Sequence, residues 1–374
     1  MKRREFVRKA SLGVAGSAAV ASTALAGCGS STSDGGAATV LTRPRVSWQL
    51  VSSFPRLLDT IFGAAEVLSK RVSELTDARF TIRVFPAGEL VPYNQVLETV
   101  QKGTVAIGHS ASYYYIGLNP ALAFDCTVPF GLTVRQYNAW MYHGNGLDLT
   151  REMFSDFNII NFPGGNTGTQ MGGWFRREVN SLADLNGIKM RIPGLGGQVM
   201  DAMGVNVQVL AAGEIYTALE RGALDATEWS GPYDDERLGF YKVAKNYYFP
   251  GWWEPAPGLS FYINQDQWNK LPSEYQAALA AAAAEANIDM LAEYDLKNPA
   301  ALNRLLSNGV QLRPFAQDIM LEAERISLDL MSSAAAGDAA YRKVFEDYTG
   351  WQTDSNQWMR VAEHTYASFA FRDK

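Results

Sequence analysis

Hydrophobic positions along this chain repeat in two periods that alternate. Residues 45–52 read Arg-Val-Ser-Trp-Gln-Leu-Val-Ser, a period-two pattern that predicts a strand. Pro55 then opens a helical stretch in which Leu58, Ile61, Phe62, Ala65, Leu68, Val72 and Leu75 share one face. Phe80, Ile82 and Val84 alternate as a second strand. Residues 93–102 form a short helix stopped by Gly103, and residues 105–108 a third strand. Strand–helix–strand–helix–strand predicts a mostly parallel sheet with helices packed on it.

The pattern returns. Ile188, Met190 and Ile192 alternate, residues 214–221 form a helix stopped by Gly222, and residues 224–229 form a strand. Residues 96–106 and 215–225 share one order: helix, basic residue, Gly, strand. The expected fold class is therefore α/β, with two lobes of similar design. Beyond them the chain reads as helix, over residues 273–294, 317–336 and 341–371. Helices of this length either brace the two lobes or pair with another chain.

The first residues read differently. Lys2-Arg3-Arg4-Glu5-Phe6 places a twin arginine before a weakly apolar stretch rich in Ala, Gly and Ser, too short to span a membrane. This is the pattern of a Tat-type signal peptide, assigned to residues 1–27. Leu25-Ala26-Gly27-Cys28 fits a lipobox with Cys28 as the lipidated residue, and Ala24-Leu25-Ala26 also fits an ordinary cleavage site. Residues 28–44 read as a flexible tether. The protein is expected in the periplasm, either lipid-anchored at Cys28 or free.

The leader is basic, and the whole chain carries a net charge of −6, so the remainder is more acidic still. An acidic surface argues against nucleic acid as a partner but not against one buried Arg holding a small anion. Cys126 is the only other cysteine, in the apolar run Phe124-Asp125-Cys126-Thr127-Val128, and reads as a buried thiol. His364 reads as solvated and His143 as a loop residue. His109 follows the third strand, where α/β folds place ligands. Gly108-His109-Ser110-Ala111-Ser112 misses the last Gly of a nucleophile elbow. Gly194-Leu195-Gly196-Gly197 fails the dinucleotide fingerprint, and no zinc-protease or P-loop motif exists. Nothing nominates a catalytic nucleophile or an organic cofactor.

Four positions do suggest chemistry. Arg191 ends its strand before Pro193 and a Gly-rich turn. A planar guanidinium grips a carboxylate through two parallel hydrogen bonds, although a charged residue so placed is as often a structural ion pair. Glu228 ends the strand over 224–229, and Glu254 is wedged in Trp252-Trp253-Glu254-Pro255. Each of these acids either pairs with a base elsewhere or joins the Gln170 amide oxygen and a backbone carbonyl in an oxygen-only cation site.

At these residues the chain resembles the substrate-binding subunits of TRAP (tripartite, ATP-independent, periplasmic) transporters, in the branch that binds 2-oxo acids such as pyruvate. The resemblance is carried by Phe85-Pro86-Ala87-Gly88-Glu89-Leu90, residues 165–174, Lys189-Met190-Arg191-Ile192-Pro193-Gly194, residues 225–233 and Pro250-Gly251-Trp252-Trp253-Glu254. It implies a two-lobed binding-protein fold with a ligand cleft between the lobes and long bracing C-terminal helices. The expected parts are lobe I over residues 45–165 with 258–310, lobe II over 166–257, and C-terminal helices over 311–374. It implies substrate contacts from Gln170, Arg191, Tyr114 and Trp229. It also implies one bound cation, sodium or calcium, held by Glu228, the Trp229 backbone oxygen, Glu254 and Gln170. The implied partners are a small 2-oxo or 2-hydroxy monocarboxylate and the TRAP membrane permease subunits, with a homodimer through the C-terminal helices in some members. The alternative from another class is a Tat-exported periplasmic enzyme acting on a small carboxylate. Residues 127–131 lie in a matched stretch with no assigned role.

Overall fold

A computed structural model describes residues 43–372. The signal peptide, Cys28 and nearly all of the tether lie outside the described residues. Among the described residues eleven strands form two sheets. The first contains β1 (Val46–Ser52), β2 (Phe80–Phe85), β3 (Ile107–Ser110), β4 (Ile159–Asn166) and β10 (Gly258–Asn264), in the order β2-β1-β3-β10-β4. The second contains β5 (Trp174–Phe175), β6 (Lys189–Arg191), β7 (Asn206–Gln208), β8 (Ala226–Thr227), β9 (Asn246–Phe249) and β11 (Gln311–Pro314), in the order β11-β9-β5-β8-β6-β7.

The local periods place most elements. Trp48 and Leu50 of β1 face inward while Ser47 and Gln49 face water, and β1 pairs in parallel with β2 and β3. The first helix begins at Asp59 rather than Pro55. It buries Ile61, Phe62, Ala65, Leu68 and Val72, and it leaves Leu75 exposed. Four strands of the first sheet run the same way, as expected, but β10 inserts antiparallel between β3 and β4. It arrives from the second sheet, so its direction follows from a crossover that local periodicity cannot reveal. The strand expected over 224–229 shrinks to Ala226–Thr227, since Glu228 and Trp229 leave the ladder. Residues 311–314, expected within the helical tail, form edge strand β11 parallel to β9.

The chain crosses from β4 to β5 through residues 167–173 and returns from β9 to β10 through residues 250–257. A helix over Ser273–Ser307 then makes the third crossing, about 50 Å long at the usual rise. It runs past the expected end near Tyr294 and contains Pro299. Its buried face, Tyr275, Leu279, Ala282, Ala286, Met290 and Tyr294, packs on the helix Asp59–Leu75, on β4 and on the helix Pro232–Leu238. Small residues on that stripe let the neighbouring backbones approach, so this helix braces elements of both sheets.

The helix Pro232–Leu238 carries two buried acids in its first turn. Asp235 accepts hydrogen bonds from Trp174 Nε1 (2.9 Å) and Tyr247 Oη (2.6 Å). Asp234 accepts from Tyr294 Oη (2.7 Å) and Trp229 Nε1 (3.3 Å), while its Oδ1 has no partner. Burial raises the Asp234 carboxyl to about 7 and Asp235 to about 6, against the hydrogen bonds that favour the charged forms. A carboxyl raised in the fold contributes stability that is complete below its unfolded value and is lost as pH rises through the folded value. Stability is therefore expected to fall between pH 4 and pH 7. In Asp234→Asn the amide nitrogen takes the Oδ1 position and the remaining oxygen keeps both donors. Urea unfolding of this variant should show a pH slope shallower by up to about one proton over that range; an unchanged slope would remove Asp234 as its source.

Candidate functional site

The strand directions of the second sheet bring four polar side chains to one end. β6 and β8 run parallel, and Arg191 and Glu228 stand at their carboxyl ends. β5 runs antiparallel to β8 and to β9, so the segment before β5, with Gln170, and the segment after β9, with Glu254, emerge at that same end. This is where open α/β sheets place ligands.

Backbone hydrogen bonds stitch the segments together. Met171 N–H donates to Ser230 O (2.9 Å), Gly251 N–H to Gln170 O (3.0 Å), and Glu228 N–H to Arg191 O (3.3 Å). Gly251 is required by closeness: a Cβ there would lie 2.7 Å from the carbonyl oxygens of both Gln170 and Met171.

All four side chains are buried: Arg191 is 2% exposed, Glu228 1%, Glu254 3% and Gln170 4%. Arg191 Nη1 donates to the Glu228 carboxylate in a buried ion pair and also approaches Glu228 O at 3.3 Å. Its guanidinium carbon lies 5.0 Å from the centre of the Trp229 ring. The structural pairing and the clustering thus coincide in one residue. Glu254 makes no ion pair among the described residues, and its Oε2 and the Gln170 Oε1 have no hydrogen-bond partner. Gln170 Nε2 donates to Thr167 Oγ1 (3.2 Å).

The electrostatics are unbalanced. Burial, and then the Glu228 carboxylate, push the Glu254 carboxyl well above the usual carboxylate range. Burial raises Glu228 to about 7 despite Arg191. For Arg191 burial acts downward, but Glu228 and the other nearby groups outweigh it and the guanidinium stays charged. Two carboxylates, an amide oxygen and the Trp229 carbonyl offer oxygen donors only, which suits a hard cation. Among the described residues no group of three or more His, Cys, Asp or Glu could hold a metal. A cation here would depend on neutral oxygens beside the two carboxylates, and the unpartnered Gln170 Oε1 fits that need.

The first sheet supplies the opposite wall. Tyr113 and Tyr114 follow β3, and Phe54, Ile61, Pro257 and Leu259 complete it. With Arg191, Gln170, Thr167, Trp229 and Ser230 they enclose a cavity of about 10 Å³, room for about one water centre. Tyr113 and Tyr114 also line an outer groove of about 780 Å³ with Tyr93, Ile192 and Val209. The apolar wall residues carry no chemical signature in sequence. Tyr113 belonged to the same tyrosine run as Tyr114.

The remaining candidates fall elsewhere. His109 lies within β3, fully buried, with Nε2 3.1 Å from Gly164 O and Nδ1 3.3 Å from Ser52 Oγ. Since a carbonyl only accepts, Nε2 carries the proton and the ring is neutral. Burial lowers it to about 3. Cys126 is a buried free thiol, raised by burial. His143 ends the helix Val134–His143 instead of lying in a loop, and His364 is exposed.

Residues 51–333 match the bacterial extracellular solute-binding protein family 7, DctP, and the chain belongs to that family of TRAP periplasmic solute-binding proteins. A Nostoc sp. protein named a monocarboxylate 2-oxoacid-binding periplasmic protein is 51% identical over 370 residues, 99% of each chain. A solved TRAP solute-binding protein of Bordetella bronchiseptica, described as a mixed-occupancy dimer with calcium and picolinate, is 45% identical. It superposes with a TM-score of 0.87 over 88% of this chain and 98% of its own. A Pseudoalteromonas atlantica protein with bound sodium and pyruvate is 38% identical, with a TM-score of 0.84 over 87% and 99% of the two chains. One from Colwellia psychrerythraea with bound calcium and pyruvate is 35% identical, with a TM-score of 0.85 over the same shares. No helix among the described residues is long and apolar enough to cross a membrane.

Gly251→Ala tests the stitching. The added methyl meets backbone rather than a side chain that can move aside. The variant is expected to lose about 1–3 kcal/mol in urea unfolding; a loss below about 0.5 kcal/mol would show that the two segments separate freely.

Proposed function

We propose that this protein binds a small 2-oxo monocarboxylate, pyruvate or a close relative, through one cation and Arg191, and delivers it to the TRAP membrane permease. The observation that carries this reading is the buried set of Arg191, Glu228, Glu254 and Gln170, with two acids against one guanidinium and two oxygens without partners. The relatives named for 2-oxo acids, or solved with pyruvate and sodium or calcium, support it. Glu228, Glu254, Gln170 and the Trp229 carbonyl would hold the cation. Its chemistry is to neutralise the carboxylates and coordinate ligand oxygens. Arg191 would turn part of its fork to the ligand carboxylate, with Trp229 beneath the guanidinium and Tyr114 closing from the other wall. With a ligand carboxylate added, a divalent ion neutralises the site and sodium leaves one negative charge. That favours calcium on electrostatic grounds, and 2-hydroxy acids present the same two oxygens.

The ligand's size demands this chemistry. Pyruvate has about six non-hydrogen atoms, and the best small ligands gain roughly 1.5 kcal/mol per atom, about 9 kcal/mol in all. Micromolar affinity needs about 8 kcal/mol. Contacts of ordinary strength fall short, and a cation plus a bidentate guanidinium, sealed from water, supply the difference.

The two-lobed division is part of the proposal: residues 45–165 with 258–310 against 166–257, with the tail from 311. So is export through the twin arginine at Arg3 and Arg4, with anchoring at Cys28. Trp358, Tyr366 and Phe369 of the tail are largely exposed and lie within one helical stretch, which supports a homodimer through that stretch. Light scattering on the mature chain should give two chains, and truncation after Met359 should give one; a native monomer would exclude this dimer.

Thermal shift and calorimetry test the site. Pyruvate with calcium or sodium should raise Tm, and chelation in sodium-free buffer should weaken binding strongly; equal affinity without either cation would end the metal reading. Arg191→Ala should abolish binding. It should also lower stability, because it leaves the buried Glu228 carboxyl without its counter-ion. Arg191→Lys keeps a charge without the fork and should bind at least about tenfold more weakly. An enzyme would convert 2-oxo acids, so proton NMR of a long incubation should show no product.

A further inference from the structure

Residues 127–131 lie in the segment between the helix Ala123–Cys126 and the helix Val134–His143. Phe130 there has φ 55°, the left-handed region that costs a bulky residue about 1–2 kcal/mol. A glycine would avoid that cost, so the ring must contribute something in place. It lies flat on Trp252, with centroids 5.3 Å apart and planes 16° from parallel. Both backbone groups of Phe130 are tied. Its N–H donates to Trp252 O (2.8 Å), and its carbonyl accepts from Gln352 Nε2 (2.7 Å). Gln352 belongs to the tail helix Ala339–Met359, beyond the family-matched residues 51–333. One turn earlier, Tyr348 Oη accepts from Leu132 N–H (2.8 Å).

Trp252 precedes Glu254 by two residues. Trp253 stands edge-on to Trp252 at 4.9 Å and is backed by Gly196, where a Cβ would lie 2.6 Å from Trp253 Cβ. The turn that presents Glu254 is thus held by Phe130 on one side, Gly196 on another and the Gln170 carbonyl at Gly251. A firm hold is needed, because two buried carboxylates repel and a free turn would swing Glu254 away from Glu228.

We propose that Phe130 and Gln352 are positioning residues for Glu254, so that the tail helix is a working part of the ligand site and sets its cation affinity. This rests on the reading that Glu254 faces a cation. Supports of metal ligands of this kind change metal affinity by about 10–100-fold when removed.

The test uses the mature chain, stripped of cations and titrated with calcium in saturating pyruvate by calorimetry, with urea unfolding alongside. Phe130→Gly removes the ring and relieves the backbone, Gln352→Ala releases the carbonyl, and Phe130→Tyr keeps the stack. The first two should weaken calcium binding about tenfold or more, and Phe130→Tyr should stay within about twofold of the native chain. Native calcium affinity in Phe130→Gly and Gln352→Ala, whatever their stability, overturns the proposal. A native chain whose pyruvate binding ignores calcium overturns the metal reading and this inference together. A native response with unaltered variants overturns the inference alone.

Discussion

Two carboxylates and one guanidinium are buried within a single cluster, and that arrangement sets the terms for its surroundings. Removing charges from water costs several kcal/mol per ion, recovered only by close pairing. Arg191 and Glu228 pair; Glu254 has no counter-ion among the described residues. The protein therefore holds either a proton on Glu254, as its raised carboxyl indicates, or a cation beside it. Packing alone would never select such a cluster, since apolar residues of the same volume would serve the core better.

The architecture places this cluster where the chain changes sheets. Gln170 lies on the segment that leaves β4 for β5, and Glu254 on the one that returns from β9 to β10. The hydrogen bond from Gly251 N–H to Gln170 O joins these crossings and with them two candidate ligands of the site. The candidate site and the joining of the two sheets thus share residues, and the helix Ser273–Ser307 fixes the third crossing through its small-residue face. The acid pair Asp234–Asp235 extends the same economy, anchoring Trp229 and Trp174 to the long helix and to β9.

Much of this was legible in the chain because its signals are local. Period two marked β1, β2 and β6, period 3.6 marked the helices, and glycines marked their stops. Arg191, Glu228, Glu254 and Gln170 drew notice because charged or amide groups stood among Trp, Pro and Gly, where solvated side chains are out of place. The rest was hidden for a common reason: it depends on long-range pairing. The antiparallel insertion of β10, the shortening of β8 and edge strand β11 follow from which strands meet. The Arg191–Glu228 pair spans 37 residues of chain. His109 stood where ligands are expected, yet the neutral, twice-bonded ring belongs to the core. Phe54, Ile61 and Leu259 look like any apolar residues until the second sheet faces them.

The division of labour between the two walls explains why sequence yields the ligand's class more readily than its identity. The second sheet's end is polar, and under the proposed function its hydrogen-bonding groups would reject a ligand lacking the right oxygens by leaving buried charges unpaired, a penalty of several kcal/mol. The first sheet's wall is mostly apolar and would discriminate by fit, where one methylene is worth only about 1–3 kcal/mol. Charged residues announce themselves in a chain, and the shape of an apolar wall does not. Phe54 on the loop after β1, Ile61 on the following helix and Leu259 on β10 come from three separated segments. Their combined outline depends on the same long-range pairing that the sequence conceals, so the shape of this wall is written in the fold rather than in any motif.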